Sequence, residues 1–155
     1  MSVASLQTAL QGVRRISLDT GIFVAQSSAA DPRQACAQWL VDQVHAGRFE
    51  CVISSVSVAE MLVRPSATDL VAAVAAQAAL RNFPHLRIVD LTFDLAVDAA
   101  HVRATTKLKL PDAMILATAL AHRLQAVVHG DDVWEARAAP YAAAIKLVNV
   151  NRHCA

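Results

Sequence analysis

The chain has 155 residues, of which 55% are hydrophobic and 17% are charged, and its formal net charge is +1. This composition provides enough apolar material for one domain with a buried core, which excludes an intrinsically disordered chain. The charge lacks the basic excess that is typical of nonspecific nucleic-acid binders, although a local basic patch can still contact phosphates.

The three cysteines give no sign of a disulfide framework or a zinc site. Cys36, Cys51 and Cys154 are odd in number and have no CxxC spacing. Such usage is typical of a reducing compartment. The N-terminus has no signal-peptide pattern, and no apolar stretch reaches roughly 18 residues. We therefore expect a cytoplasmic protein with no membrane segment.

The first third of the chain predicts a strand followed by a helix. Residues 1–13 contain Ser, Gln and Ala and are expected to be a frayed lead-in, so that a single domain spans residues 14–155. Residues 14–18 predict a short strand that ends in a strand-to-loop signal at residues 19–21. A helix is expected over residues 31–47, because an acidic N-cap and a proline open it and a glycine closes it.

The next segment predicts a second strand and two helices. Residues 51–53 are a short apolar run, which is typical of a buried parallel strand. A helix over residues 55–63 is expected to stop before Pro65. Ser66 is expected to start another helix, with Asp69 as its capping-box partner.

The remaining elements continue the alternation of helix and strand. Residues 70–80 are apolar on nearly every face of a helix, which indicates a buried helix or an interface. Thr92 is expected to cap a helix that runs to about residue 106, and Pro111 to begin one that runs to residue 122. Three further strands are predicted, at residues 86–89, 126–128 and 145–148.

Strands that alternate with helices imply an α/β fold with a parallel sheet covered on both faces. In such sheets, ligands bind beyond the carboxyl ends of the strands. Asp19 follows the first strand and Asp131 follows the fourth, so both are expected at the same edge. Glu60 and Asp112 lie in predicted helices among mostly apolar neighbours, which is unusual for acidic residues.

Carboxylates at one sheet edge have a specific chemical use. Two negative charges 4 Å apart repel by about 4 kcal/mol at an effective dielectric of 20, so such a cluster takes up protons or binds a cation. Mg²⁺ and Mn²⁺ prefer oxygen ligands, and either ion can serve phosphodiester cleavage. Each acid also has a plainer explanation: a turn for Asp19 and Asp131, a capping box with Ser57 for Glu60, and the helix dipole for Asp112.

Three segments resemble the motifs of PIN domains. Residues 16–24 (ISLDTGIFV) resemble the opening strand motif, and residues 55–62 (SVSVAEML) resemble the second acidic motif. Residues 108–120 (LKLPDAMILATAL) closely resemble the third motif of VapC-type toxins. The resemblance implies a three-layer α/β/α sandwich with a central parallel sheet of about five strands. It also implies Mg²⁺- or Mn²⁺-dependent cleavage of RNA by an acidic set formed by Asp19, Glu60, Asp112 and Asp131.

The fourth motif departs from this pattern. In PIN domains the fourth acid usually follows a Thr or Ser and an Asn, whereas residues 128–134 read VHGDDVW. The hydroxyl is missing, and Asp131 and Asp132 compete for the role; Asp131 is preferred because it lies nearer the strand end. His129 is either a ligand or structural, and Trp134 either stacks on a base or packs in the core.

The resemblance further implies partners. VapC-type toxins act on RNA, pair with a small VapB-type antitoxin and often form homodimers. Thr20 and Arg103 are candidate substrate-binding residues, and a local turn or a solvated helix face are their plainer roles. The altered fourth motif leaves a noncatalytic PIN-like module that binds RNA or protein as the alternative. A different phosphotransfer domain ranks lower, because the chain has neither a DxD pair after the first strand nor a P-loop.

Overall fold

The structure, a computed structural model, describes residues 2–154 and is built on a five-stranded parallel sheet. The strand order is β3-β2-β1-β4-β5, and every neighbouring pair is parallel. The strands are β1 (Arg15–Leu18), β2 (Glu50–Ser54), β3 (Leu86–Val89), β4 (Ala126–His129) and β5 (Lys146–Asn149). The predicted α/β class and the five predicted strands are thereby confirmed.

Helices cover both faces of this sheet. The helices are α1 (Val3–Ala9), α2 (Thr20–Gln26), α3 (Gln34–His45), α4 (Ser55–Thr68), α5 (Leu70–Arg81), α6 (Phe93–Thr106), α7 (Leu110–Ala121), α8 (Asp132–Arg137) and α9 (Asn151–Cys154), with a 3₁₀ turn at Ala139–Tyr141. Helices α1, α2 and α3 pack on one face, and α6, α7 and α8 pack on the other. This is the expected three-layer sandwich. None of the described helices is long and apolar enough to cross a membrane.

Two apolar clusters, one on each face, fix the sheet between its helices. Alternate residues of β4 show the division, because Ala126 and Val128 join the cluster under α1–α3, whereas Val127 joins the cluster under α6 and α7. All four residues of β4 are buried. A strand that is covered on both faces needs a continuous apolar run, which explains why the strands were recognisable in the sequence.

Helix α1 lies in the segment 1–13, for which the sequence predicts a frayed lead-in. Leu6 and Leu10 lie one turn apart, and both are buried in the cluster that includes α2 and α3. The helix also contacts α9. Two leucines at helical spacing therefore anchor a segment whose other residues are mostly small or polar.

The α4–α5 region differs from the expected helix boundaries. Helix α4 runs through Pro65 to Thr68, because a proline near a helix end removes only its own backbone N–H bond and the turns before it stay intact. Asp69 is not a capping-box partner of Ser66. It is the N-cap of α5, and its Oδ1 accepts from the backbone N–H groups of Val71 at 2.9 Å and Ala72 at 3.2 Å.

The expectation of no disulfide is also wrong. Cys36 of α3 and Cys154 of α9 form a disulfide, with their Cα atoms 6.2 Å apart and a separation of 118 residues in sequence. The order of the strands places β5, and therefore α9, beside α3. The spacing of the cysteines in the sequence does not predict this contact. Cys51 is the free cysteine in the described part of the chain, and it is buried.

Candidate active site

Asp19 lies at the carboxyl end of the central strand. Its backbone N–H donates to the carbonyl of Val128 in β4 at 2.9 Å, and it is the N-cap residue of α2, where the sequence indicated a loop. Oδ2 lies so close to Gly21 that a Cβ there would be 3.2 Å away. Burial raises the pKa of Asp19 to about 6, and the charges of Asp112 and Glu60 add to this effect.

Asp112 approaches from the opposite layer, in the first turn of α7. Burial raises its pKa, and the negative charges of Glu60 and Asp131 contribute further. A hydrogen bond from the side chain of Trp134 acts in the other direction, as does the position at the positive end of a helix. The carboxylate is therefore held in place although its neighbours repel it.

Glu60 is exposed on α4, and α2 positions it. The hydroxyl of Thr20 donates to Oε2 of Glu60 at 2.8 Å. The capping-box explanation for Glu60 does not apply, because the N-cap of α4 is Ser54 and not Ser57. Thr20, expected to touch substrate or to make a local turn, here holds one of the four acids.

The two adjacent aspartates of the fourth motif point to different partners. Asp131 is the N-cap of α8, and its Oδ1 accepts from Val133 N at 2.8 Å. Asp132 accepts from Nδ2 of Asn149 at 2.6 Å and from Nδ2 of Asn151 at 3.4 Å. The charge of Asp131 also raises the pKa of Asp112, so Asp131 faces that acid, whereas Asp132 is bound to β5 and α9.

His129 contacts the backbone of the fourth motif, which lacks the usual hydroxyl. Its Nδ1 accepts from the backbone N–H of Asp131 at 3.4 Å, which is the contact that a Ser or Thr at a strand end commonly makes. The ring is fully buried and stacks on Trp134 with the ring centroids 5.1 Å apart. Trp134 is also buried, so it packs in the core and is not available to stack on a base.

Two residues that sequence reasoning did not assign to the site contact it. The side chain of Trp134 faces Asp112 and lowers the pKa of that acid. Arg33, between α2 and α3, lies against Gly130. No local pattern marks either residue, because both act across the fold. Arg103, by contrast, donates from Nη1 to the carbonyl of Leu108 at 2.8 Å and so braces the α6–α7 connection.

The arrangement suits a hard divalent cation. Asp19, Glu60, Asp112 and Asp131 offer only carboxylate oxygens, the ligands that Mg²⁺ and Mn²⁺ prefer. The raised pKa values of Asp19 and Asp112 reflect burial first and the negative charge of neighbouring acids second, and a cation would offset that charge. Among residues 2–154, no three acidic, histidine or cysteine side chains already stand close enough to enclose an ion. Binding would therefore draw the carboxylates together.

Comparisons with known proteins agree with this geometry. No curated protein matches the sequence. Among solved structures, a toxin–antitoxin complex from Klebsiella pneumoniae has a TM-score of 0.64 and 24% identity, covering 87% of this chain and 97% of that chain. VapC20 of Mycobacterium tuberculosis, described as a sarcin–ricin loop cleaving toxin, has a TM-score of 0.63 and 25% identity, with 78% and 94% covered. VapBC2 of Rickettsia felis, bound to a promoter DNA fragment, has a TM-score of 0.62 and 17% identity, with 87% and 98% covered.

The sequence profile of the PIN domain matches residues 16–140. This segment is most of the chain, and it contains all four acids of the site. The resemblance that the motifs indicated is thereby confirmed, and the chain belongs to the PIN-domain family.

Proposed function

We propose that this protein is a Mg²⁺- or Mn²⁺-dependent endoribonuclease, and that it is the toxin of a VapB/VapC-type toxin–antitoxin pair. The observation that carries the proposal is the meeting of partly buried Asp19 and Asp112 with the charge of exposed Glu60 at the carboxyl edge of the sheet. Burial raises the pKa of Asp19 to about 6, and Asp112 and Glu60 contribute to that rise. A fold gains nothing in stability from such a cluster, whereas a metal site needs it.

Asp19, Glu60, Asp112 and Asp131 would hold the metal ion. A bound divalent ion supplies charge neutralisation at the phosphate and lowers the pKa of water. The protein's own groups set the geometry, because Trp134 orients Asp112 and Thr20 orients Glu60. The hydroxyl of Thr20 donates to Oε2 of Glu60, which leaves Oε1 as the oxygen that would accept a proton from the attacking water.

The noncatalytic module is the competing proposal, and its motivation is the missing hydroxyl of the fourth motif. The contact between His129 Nδ1 and the N–H of Asp131 weakens that motivation, since the backbone before the acid is held without a hydroxyl. The two proposals differ in a measurable way. A module that only binds RNA produces no cleavage products, either with or without a chelator.

Cleavage of total RNA by wild type and Asp112→Asn tests the proposal. We expect cleavage that requires Mg²⁺ or Mn²⁺ and that falls by at least about a hundredfold in Asp112→Asn, because losing a ligand costs more than the tenfold to hundredfold typical of groups behind the ligands. Asp132→Asn is the matched control and should cleave nearly as wild type, since Asn149 and Asn151 hold this acid away from the site. Equal cleavage by Asp112→Asn, or cleavage that persists in a chelator, would contradict the proposal.

The exposed apolar side chains of α4 and α5 support partners for the toxin. We call Val63, Leu70, Val71 and Val74 the α4–α5 surface; each of these side chains is more than half exposed. Helix α5 packs chiefly on α4, and Ala73 is its buried residue. Exposed apolar groups in this density are typical of interaction sites. The proposed partners are RNA at the acidic site, and a cognate antitoxin and a second copy of the chain at apolar surfaces.

A further inference from the structure

We infer that Arg33 binds the phosphate of the RNA that is cleaved, with its Nη1 donating to a non-bridging oxygen beside the acidic site. This inference rests on the proposed ribonuclease function and names a residue that contacts the substrate. It concerns a side chain that the motifs of the family did not indicate.

Asp31 holds the guanidinium of Arg33 in a fixed orientation. Oδ1 of Asp31 accepts from both the backbone N–H and Nε of Arg33, each at 2.9 Å. Oδ2 of Asp31 accepts from Nη2 at 2.6 Å. The hydrogen bonds of this guanidinium within residues 2–154 thus use Nε and Nη2, and Nη1 is left for a ligand. A group already fixed by Asp31 loses little conformational entropy when it binds.

The free nitrogen lies at the carboxyl edge of the sheet. Nη1 of Arg33 packs against Gly130, and a Cβ at that position would overlap it. Gly130 joins the last residue of β4 to Asp131, so Arg33 lies over the connection that carries the fourth acid. Hydrogen bonds to Asp31 raise the pKa of Arg33, and the charge of Asp19 adds to this effect, which places the guanidinium near the first acid as well.

Binding of RNA beside the acidic site requires a positively charged side chain in a fixed position. The four acids that attract a metal ion also repel the phosphates of an approaching RNA, and the net charge of +1 offers no general attraction. A guanidinium matches phosphate oxygens in geometry and forms strong charge-assisted hydrogen bonds to them. Arg33 is thus positioned to hold the phosphate while the acids hold the metal ion.

Three variants of the full chain test this inference: Arg33→Gln, Arg33→Lys and the control Arg15→Gln. Arg15 also forms an ion pair, with Glu50 at 3.2 Å, but it lies at the start of β1, at the opposite end from Asp19. The measurements are kcat/KM at saturating Mn²⁺, Mn²⁺ affinity by calorimetry, and the affinity for a short single-stranded RNA at several salt concentrations. The RNA affinity is measured by fluorescence anisotropy, with Asp112→Asn added to each protein to prevent cleavage.

We expect Arg33→Gln to lower kcat/KM by roughly tenfold to a hundredfold, as the loss of one charge-assisted hydrogen bond predicts. It should weaken RNA binding and reduce the salt slope by about one, with Mn²⁺ affinity unchanged. The kcat/KM and RNA affinity of Arg33→Lys should lie between those of Arg33→Gln and wild type. Lysine keeps the positive charge but lacks the planar guanidinium group. Arg15→Gln should behave as wild type in all three measurements.

The outcomes separate this inference from the proposed function. RNA affinity and salt slope in Arg33→Gln equal to those of the parent protein would overturn the inference, and so would a joint loss of Mn²⁺ affinity and folding stability. If wild type cleaves no RNA, the proposed function fails, and weaker RNA binding by Arg33→Gln still supports the phosphate contact. If wild type neither cleaves nor binds RNA, both are overturned.

Discussion

Asp19, a proposed metal ligand, opposes folding when it is ionised. Burial, with the charges of Asp112 and Glu60, raises its pKa from 3.8 to about 6. The folded chain therefore keeps a proton on Asp19 up to about pH 6, whereas the unfolded chain loses that proton near pH 3.8. The folded state binds more protons between these values, so stability falls as pH rises through this window and levels off above about pH 6.

Asp19→Asn should therefore make the metal-free protein more stable at pH 8, by roughly 3 kcal/mol, because an amide has no charge to bury. Near pH 4 the variant and wild type should have similar stability, since Asp19 is then mostly protonated in the folded state. Urea unfolding in a chelator at both pH values measures the difference. The exposed Asp98→Asn serves as the control, and a lower stability of Asp19→Asn at pH 8 would contradict the argument.

The candidate acids of the site carry a signal in the local sequence, whereas the groups that lie against them do not. Asp19 and Asp112 carry their signal locally, in a strand end and in an acidic helix start among apolar neighbours. Trp134 and Arg33 have no such signal. Their roles depend on contacts with Asp112 and Gly130, and those contacts exist only when two layers of the fold have come together.

Among the elements, α4 and α5 are separated by a single residue. Asp69 has an extended backbone, with φ of −156°, which ends α4, and its side chain caps the start of α5. The sequence placed the break at Pro65, the residue least compatible with a helix interior. The side-chain acceptor at Asp69 begins the second helix, so the break follows the cap and not the proline.

Replacing the cap with alanine tests this assignment. Asp69→Ala should lower the free energy of unfolding by about 1 kcal/mol, because the N–H groups of Val71 and Ala72 lose their acceptor. Asp69→Asn should be nearly neutral, since asparagine is an equally good N-cap. Urea unfolding gives the values. Asp98→Ala, on an exposed part of α6, controls for loss of an acid, and an equal effect of both alanine variants would count against the cap.

The strands could be predicted from the sequence, whereas the short helices could not. Each strand boundary was predicted to within one residue, because the strands are rich in apolar residues, most continuously in β2 and β4. Helices α2 and α8 were missed, because they have only seven and six residues and begin at Asp19 and Asp131, which resemble turn residues. Such helices form because the sheet and its opposite layer support them.

At the scale of the whole molecule, the α4–α5 surface is the feature that a single chain leaves unexplained. Val71 is 79% exposed and Leu70 is 75% exposed, on a helix with one buried side chain. The sequence indicated a buried helix or an interface, and burial within the chain is not observed. The proposed dimer would remove these side chains from water.

Val71→Lys should therefore weaken self-association by at least roughly tenfold, because it places a charge in the apolar centre of the contact. Light scattering during size-exclusion chromatography should give the mass of a dimer for wild type and of a single chain for the variant at the same concentration. Val97→Lys, a change at an exposed valine of α6, is the matched control. A wild-type protein that stays monomeric and soluble would refute the dimer.

The position of β1 between β2 and β4 has a consequence for synthesis on the ribosome. Strand β2 is synthesised soon after β1. The other neighbour of β1 is β4, in which Ala126 pairs with Ile16, and β4 is synthesised only after most of the chain. Until then the N–H of Asp19 lacks its acceptor, Val128, and Asp131 has not been made. An unfinished chain can thus carry Asp19, Glu60 and Asp112 while the strand that precedes Asp131 is missing, so the candidate site is assembled only when synthesis is nearly complete.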